Sequence, residues 1–221
     1  MRAVAIDGPS GAGKSTIARA VAKSMGFIYV DTGALYRAVG LYVQRQGKTP
    51  SDPLQVVPLL GGARVELKYA EGEQRIFLNG EDVTLAIRQP EVSMAASDVS
   101  AIPAVREFLF DLQQEIARNN DVVMDGRDIG TVVLPHADVK IFLTATSEDR
   151  ARRRHREFAK KGITVDYAQL LSEIEKRDYN DSNREIAPLK KADDAILVDT
   201  TGNELSTSIE LLTNIVKENL R

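Results

Sequence analysis

The sequence predicts an α/β protein built on a parallel sheet, and three observations carry that prediction. Short apolar, β-branched runs alternate with amphipathic segments of helical length along most of the chain. A glycine-rich turn stands between the first such run and the first helical segment. One stretch, residues 63–84, leaves the alternation for short strand-like pieces separated by glycine-containing turns.

The elements follow in order. Strands are expected at "AVAI" (3–6), "FIYV" (27–30), "DVVM" (121–124), "VKIFL" (139–143) and "AILV" (195–198). Helices are expected over about 14–25, 34–46, 102–118, 146–160, 166–184 and 204–219. Within "ARVELKYAEGEQRIFLNGEDVT" (63–84), Asn79 and Gly80 are a type I′ hairpin signal, so this piece reads as a small β insert outside the main sheet. The expectation is one domain with insertions.

Composition narrows the function classes. The chain has 221 residues, 43% hydrophobic and 28% charged, which suits a globular protein with one good core and a small appended lobe. With no cysteine, a disulfide framework and a thiolate metal site are both excluded. The two histidines, His136 and His155, are too far apart in sequence to suggest a local zinc pair. A net charge of −3 argues against bulk nucleic-acid binding. No apolar run approaches the ~20 residues of a membrane span, and "MRAVAIDG" turns polar too soon for a signal peptide. A cytoplasmic protein is expected.

The first chemical motif is "AVAIDGPSGAGKST" (3–16), which contains G-x-x-x-x-G-K-[ST] as Gly8, Gly13, Lys14 and Ser15. It follows a strand and opens a helix, the context a phosphate-binding P-loop requires. Glycines let backbone N–H groups point into a concavity, and the helix N-terminus adds positive potential. The loop residues Gly8, Pro9, Ser10, Gly11, Ala12, Gly13, Lys14, Ser15 and Thr16 are therefore the expected nucleoside triphosphate site. Lys14 would reach the β/γ-phosphates and the Ser15 hydroxyl would sit on Mg²⁺. The fold class then sharpens to a three-layer P-loop NTPase-type fold, a five-stranded parallel sheet flanked by helices.

A P-loop does not name the reaction. A GTPase switch would need N/T-K-x-D, yet Glu175 and Lys190 occupy the first position of the two K-x-D sequences. "DTTG" (199–202) comes too late for a switch loop. A transferase acting on a phosphate acceptor needs arginines, whose planar guanidinium groups bind phosphate oxygens bidentately. They stand at the expected places. Arg37 lies one turn inside the helix after the second strand. "VVMDGRDIG" (122–130) ends the third strand with Asp125, Arg127 and Asp128, at the edge of a parallel sheet where ligands bind. Asp125 suits the acid that holds a Mg²⁺ water; the plainer alternative makes it a helix N-cap.

"RDYNDSNREIAPL" (177–189) completes the set. Asp166 is an expected N-cap with Gln169 at N3, and Tyr167, Leu170, Leu171 and Ile174 form an apolar stripe. At ~100° per residue Asp181 continues that stripe, with Arg177 and Arg184 on its flank. The inward face thus turns from apolar to charged, which suggests a polar cleft for an anion. An exposed Arg177 and Asp181 pair is the alternative, worth only a few tenths of a kcal/mol.

Together "DGPSGAGKST", "DTGALYRA", "MDGRDIGTVVLP", "VKIFLTAT" and "RDYNDSNREIAPL" resemble the bacterial-type cytidylate kinase family of nucleoside monophosphate kinases, over nearly the whole chain. The resemblance implies transfer of the γ-phosphoryl of ATP to CMP or dCMP, with Mg²⁺. It implies that Arg37, Arg127 and Arg184 hold the acceptor phosphate, that Arg177 and Asp181 hold the ribose hydroxyls, and that Ser97, Arg106 and Asp128 read cytosine. Where many relatives carry "DSGA", this chain has "DTGA" (31–34); Thr32 keeps the hydroxyl for the base, and its methyl alters the fit. By the same resemblance residues 34–119 form the monophosphate-binding lobe and 148–165 a short lid over ATP. Arg150 and Arg154 are then the expected lid contacts to the triphosphate. A solvated basic face or an RNA-binding patch is the alternative for 148–162. ATP, CMP and dCMP are the expected partners, with no nucleic acid and no membrane, and the chain is expected to be a monomer.

Overall fold

The computed structural model describes residues 1–70, 73–160 and 162–220. In chain order the elements are β1 (Ala3–Asp7), α1 (Lys14–Met25), β2 (Ile28–Asp31), α2 (Thr32–Arg45) and the short α3 (Pro53–Val56). They continue with β3 (Val65–Ala70), β4 (Glu73–Leu78), β5 (Glu81–Asp82), α4 (Pro90–Ser100) and α5 (Pro103–Asn119). The last are β6 (Val122–Gly126), β7 (Val139–Thr144), α6 (Ser147–Lys160), α7 (Tyr167–Asn183), β8 (Ile196–Asp199) and α8 (Leu205–Asn219). The chain divides into two compact units, 1–29 with 119–221, and 30–118.

The first unit is built on the expected five-stranded sheet, in the order β2-β6-β1-β7-β8. β1 pairs in parallel with β6 and β7, and β7 in parallel with β8. Central strands covered on both faces need continuous apolar side chains, and Val4, Ala5, Ile6, Val122, Val123 and Met124 are fully buried. Ile17, Ala18 and Val21 of α1 share one core with Leu212 and Val216 of α8. Register fixes the chemistry: Ile6 lies opposite Asp125 and Asp7 opposite Gly126. The loop after β1 and the loop after β6 therefore leave the sheet side by side, at its carboxyl edge. A smaller cluster of Ala151, Leu170 and Ile174 joins α6 to α7.

The second unit packs α2 against α4 and a three-stranded sheet, β3-β4-β5, around Leu35, Val39, Ile76, Ile87, Val99 and Leu109. β3 and β4 are antiparallel, as are β4 and β5. Asn79 and Gly80 both have positive φ, 50° and 85°, as the type I′ signal requires. The glycine turn expected at Glu71 and Gly72 lies outside the described residues, as does Lys161 of the basic run.

Two expectations shift. α2 starts at Thr32, two residues before the expected 34, because the Asp31 carboxylate accepts the Ala34 N–H at 3.0 Å and caps the helix there. α4 was not expected at all. Its sequence "PEVSMAASDVS" is rich in small residues that blur the apolar stripe, and packing on α2 decides its state.

Candidate functional site

In the first unit the site grows from the loop after β1. Gly8 has φ 149°, and a Cβ there would sit 1.9 Å from the Leu143 carbonyl oxygen, so only glycine lets the chain leave the sheet here. No side chain caps the start of α1, and the first N–H groups of that helix remain available to an anion. Lys14 is buried, its Nζ donating to the Pro9 carbonyl at 2.7 Å. Burial and the neighbouring Arg127 charge push its pKa down to about 7, against the pull of Asp125, Asp7 and Asp181.

The loop after β6 brings the partners. Asp125 is buried at the strand end, where Oδ2 accepts from the Ser15 hydroxyl at 3.1 Å and Oδ1 from the Tyr29 phenol at 2.8 Å. It is thus no helix cap. Arg127 donates from Nε to Asp181 of α7 at 2.8 Å. Burial works against the Arg127 charge, but Asp181, Asp125 and Asp178 outweigh it and raise its pKa. Burial likewise works against the Asp181 carboxylate, and the charges of Arg127, Arg177 and Arg184 hold it below the usual range all the same. Arg184 caps the C-terminus of α7, donates from Nε to Ala187 at 2.7 Å, and lies 3.6 Å from Asp128. The stripe expectation for α7 is met in space: Leu170, Ile174 and Asp181 are its buried residues. Asp166 caps the helix through the Gln169 N–H, whereas the Gln169 side chain turns to Glu173, so the capping box is only half made.

On α6, Arg150 is buried and committed to the protein. Its guanidinium donates to the Ala145 and Ser10 carbonyls at 2.9 and 2.8 Å and to Asp178 at 2.5 Å. It shapes the glycine loop from behind. Arg154 stacks on Phe158 at 5.4 Å. The arginine facing the loop is Arg153, whose Nη1 lies 4.0 Å from where a Gly13 Cβ would be and which also bonds Thr200. Arg150 and Arg153 are three apart and share a helix face, a spacing as good as four; that signal was available in the sequence. Asp7, Tyr29 and Arg153 are the participants that sequence reasoning passed over.

In the second unit, Thr32 is buried at the first position of α2. Arg37 donates to Asp31 Oδ2 at 2.8 Å, and Arg88 approaches the same oxygen at 3.4 Å. Gln74 of β4 accepts the Asp31 N–H at 2.8 Å, tying the insert to the start of α2. Arg106 is buried over the Tyr36 ring at 5.5 Å and donates to the Ser100 carbonyl at 3.2 Å. The Ser97 carbonyl accepts from the Ser100 hydroxyl at 2.8 Å, one turn along α4.

A hydroxyl and a carboxylate, Ser15 and Asp125, are hard oxygen donors that suit Mg²⁺. Among the described residues no three His, Cys, Asp or Glu side chains gather to hold a metal. A Mg²⁺ ion held here would take most of its shell from water and substrate phosphates, its usual habit. Among the described residues no helix is long and apolar enough to cross a membrane.

A model of the cytidylate kinase family matches residues 4–218. Cytidylate kinase from Caldicellulosiruptor bescii is 55% identical over 218 residues, covering 97% of this chain and 96% of that protein. The cytidylate kinase of Carboxydothermus hydrogenoformans is 50% identical, with 96% of each covered, and that of Lactobacillus johnsonii 47%, with 97% and 94% covered. An uncharacterized protein from Eubacterium ventriosum shares the fold, with TM-score 0.56, 12% identity and 98% of both chains covered.

Proposed function

The chain belongs to the cytidylate kinase family, and from that premise we propose how its residues divide the work of phosphorylating CMP and dCMP. It is a nucleoside monophosphate kinase, a phosphotransferase with ATP as donor and a phosphate as acceptor. The observation that carries the division of labour is a pair of neighbouring cations at the carboxyl edge of the sheet, Lys14 buried and Arg127 half-buried. Burial first and the Arg127 charge second depress the pKa of Lys14, against the pull of Asp125, Asp7 and Asp181, and a phosphate bound beside both cations would favour their charged forms.

Gly8, Pro9, Ser10, Gly11, Ala12, Gly13, Lys14, Ser15 and Thr16 take the triphosphate. Arg127 and Arg184 of the first unit and Arg37 of the second take the acceptor phosphate. Arg177 and Asp181 take the ribose, and Thr32, Ser97, Arg106 and Asp128 take cytosine. A carboxylate such as Asp128 accepts from cytosine's exocyclic amine and opposes the carbonyl that uracil presents there. Mg²⁺ bound by Ser15 and, through water, by Asp125 would supply charge neutralisation at the transferred phosphoryl group. No general base is assigned, because the acceptor phosphate is already an anionic nucleophile; positioning and charge do the rest. Residues about 148–165 are the lid and residues about 34–119 the monophosphate-binding lobe, and lid closure would keep water from ATP. The enzyme works as a cytoplasmic monomer, and its net charge of −3 argues against nucleic acid as a partner.

Lys14→Ala should lower kcat/KM for CMP, dCMP and UMP alike by ~10²-fold or more, since it removes a charge that all transition states share. ADP release in a coupled assay across that acceptor panel measures it. Turnover equal to the parent's would remove Lys14 from the site.

A further inference from the structure

We infer that Asp7 is the positioning residue of base selection: from the end of β1 its carboxylate holds the turn that aims Asp128. The inference rests on the assignment of Asp128 to cytosine made above.

A helical turn opens with N–H groups that find no partner inside it, and an aspartate at the N-cap normally serves them itself. The turn over Ile129–Val133 has Asp128 at its N-cap, yet the Asp128 side chain makes no capping hydrogen bond. Asp7 does the capping instead. The Ile129 N–H donates to its Oδ1 at 2.8 Å and the Gly130 N–H to its Oδ2 at 2.7 Å, across 122 and 123 residues of sequence. A remote carboxylate has taken over the capping of the turn that opens with Asp128. Arg184, an arginine assigned to the acceptor phosphate, lies 3.6 Å from the Asp128 carboxylate.

The turn also needs an outside anchor. The Asp128 carbonyl accepts from the Val132 N–H at 2.9 Å, the ordinary helical spacing, and from the Val133 N–H at 3.2 Å, while the Leu134 N–H reaches the Ile129 carbonyl at 2.6 Å, the wide five-residue spacing of a π-turn. Such turns are rare and seldom stand alone. Gly130 lets the anchor come close: a Cβ there would meet the Lys140 stem at 3.2 Å and Asp7 Oδ2 at 3.4 Å. The charged groups facing Asp7 are Asp128 and Lys14; the Lys140 ammonium is turned away, onto Pro135 and Asp194. Both oxygens of Asp7 are therefore used as acceptors, at a site 5% exposed. Asparagine has the same shape but sets an N–H₂ against one of the two N–H groups.

The experiment is a kinetic cycle of Asp7→Asn, Asp128→Asn and the double variant, with CMP and UMP as acceptors, beside amide hydrogen exchange at Ile129 and Gly130. Asp7→Asn should raise KM for CMP about tenfold and narrow the ratio of kcat/KM for CMP over UMP by a similar factor. Because Asp7 also faces Lys14, KM for ATP is expected to rise as well, so the readout of base selection is the CMP-over-UMP ratio and not the ATP dependence. In the Asp128→Asn background the same change should narrow the ratio no further, because Asp7 acts through Asp128. Parent-like kinetics for Asp7→Asn would overturn the inference, and so would equal losses for CMP and UMP or full additivity in the cycle. If Asp128→Asn leaves the ratio unchanged, the cytosine assignment has failed. Hydrogen exchange then decides for Asp7: faster exchange confined to Ile129 and Gly130 keeps it as the holder of the turn, and unchanged exchange removes it. Should Asp7→Asn not fold, Asp7→Ser, which keeps one small acceptor, takes its place in the same cycle.

Discussion

A guanidinium and a carboxylate buried side by side lose hydration before they gain attraction, so such pairs are poor evidence for stability alone. Arg127 and Asp181 are of this kind, with side chains 20% and 7% exposed. Arg184, 8% exposed at the side chain, adds a further cation near Asp181 and Asp128. Lys14, Arg127 and Arg184 stand in one unit among the carboxylates of Asp7, Asp125, Asp128 and Asp181, a network from which the fold itself gains little. A bound phosphate would add charge-assisted contacts to guanidinium groups already gathered there. Arg184→Ala should lower kcat/KM for CMP by roughly 10²–10³-fold, about 3–4 kcal/mol of transition-state binding, as expected for a lost charge-assisted phosphate contact. Arg184→Lys keeps the charge and loses the planar fork, so it should fall between the two. Steady-state kinetics with CMP varied at saturating ATP measures both, and an Arg184→Ala enzyme as fast as the parent would take Arg184 off the acceptor phosphate.

At the scale of an element, α7 shows why a helix can be read from sequence further than a loop. A period near 3.6 makes each side chain's direction a matter of counting, so Leu170, Ile174 and Asp181 could be placed on one buried face before any coordinates. The glycine loop was equally legible, because its spacing and its strand-to-helix context are both local. What escaped was non-local or small. Asp7 and Ile129 are brought together only by the pairing of β1 with β6, and no periodicity announces a π-turn of five residues. Tyr29 reaches Asp125 across two strands and looks, in sequence, like one more β-forming aromatic. Arg153, which lies beside Gly13, was passed over because the four-residue spacing of Arg150 and Arg154 was weighed above the three-residue one, although both put residues on neighbouring faces. The apolar part of α7 meets α6 through Ile174, which is 6% exposed against Ala151 and Leu170. Ile174→Ala should weaken that contact by about 2–4 kcal/mol, a large share for so small a cluster. Hydrogen exchange should rise in α6 and α7 while the amides of β1 and β6 keep their protection. Uniform loss across the unit would mean that these helices do not open on their own.

For the whole molecule, the useful question is how stability changes between pH 4 and pH 6.5, where among the described residues Asp7 is the one carboxylate whose pKa is clearly raised. Asp181, Asp121, Asp194, Asp199, Asp82, Glu81 and Glu148 are held below the ordinary carboxylate value, so their effects run toward lower pH and carry the opposite sign. Lys14, pushed down to about 7, acts above the window. Asp7 is pushed from 3.8 up to about 6, first by burial, with the Gly130 and Ile129 N–H groups opposing and Asp128 assisting. Between those two values the folded chain holds a proton on Asp7 that the unfolded chain has released. Stability therefore falls as pH rises through the window, by up to about 3 kcal/mol, and the cost of the buried charge is fully present above pH 6. Asp7→Asn carries no charge at any pH and should lose this slope. Its destabilisation relative to the parent should be larger at pH 4 than at pH 7, since the parent gives up its advantage on the way. The slowest-exchanging amides of β1 and β6 report unfolding of the unit that contains Asp7 without requiring the second unit, 30–118, to unfold with it. If parent and Asp7→Asn chains show parallel profiles from pH 4 to pH 6.5, Asp7 ionises as freely in the fold as outside it, and the strand end where it sits is wetter than its 5% exposure says.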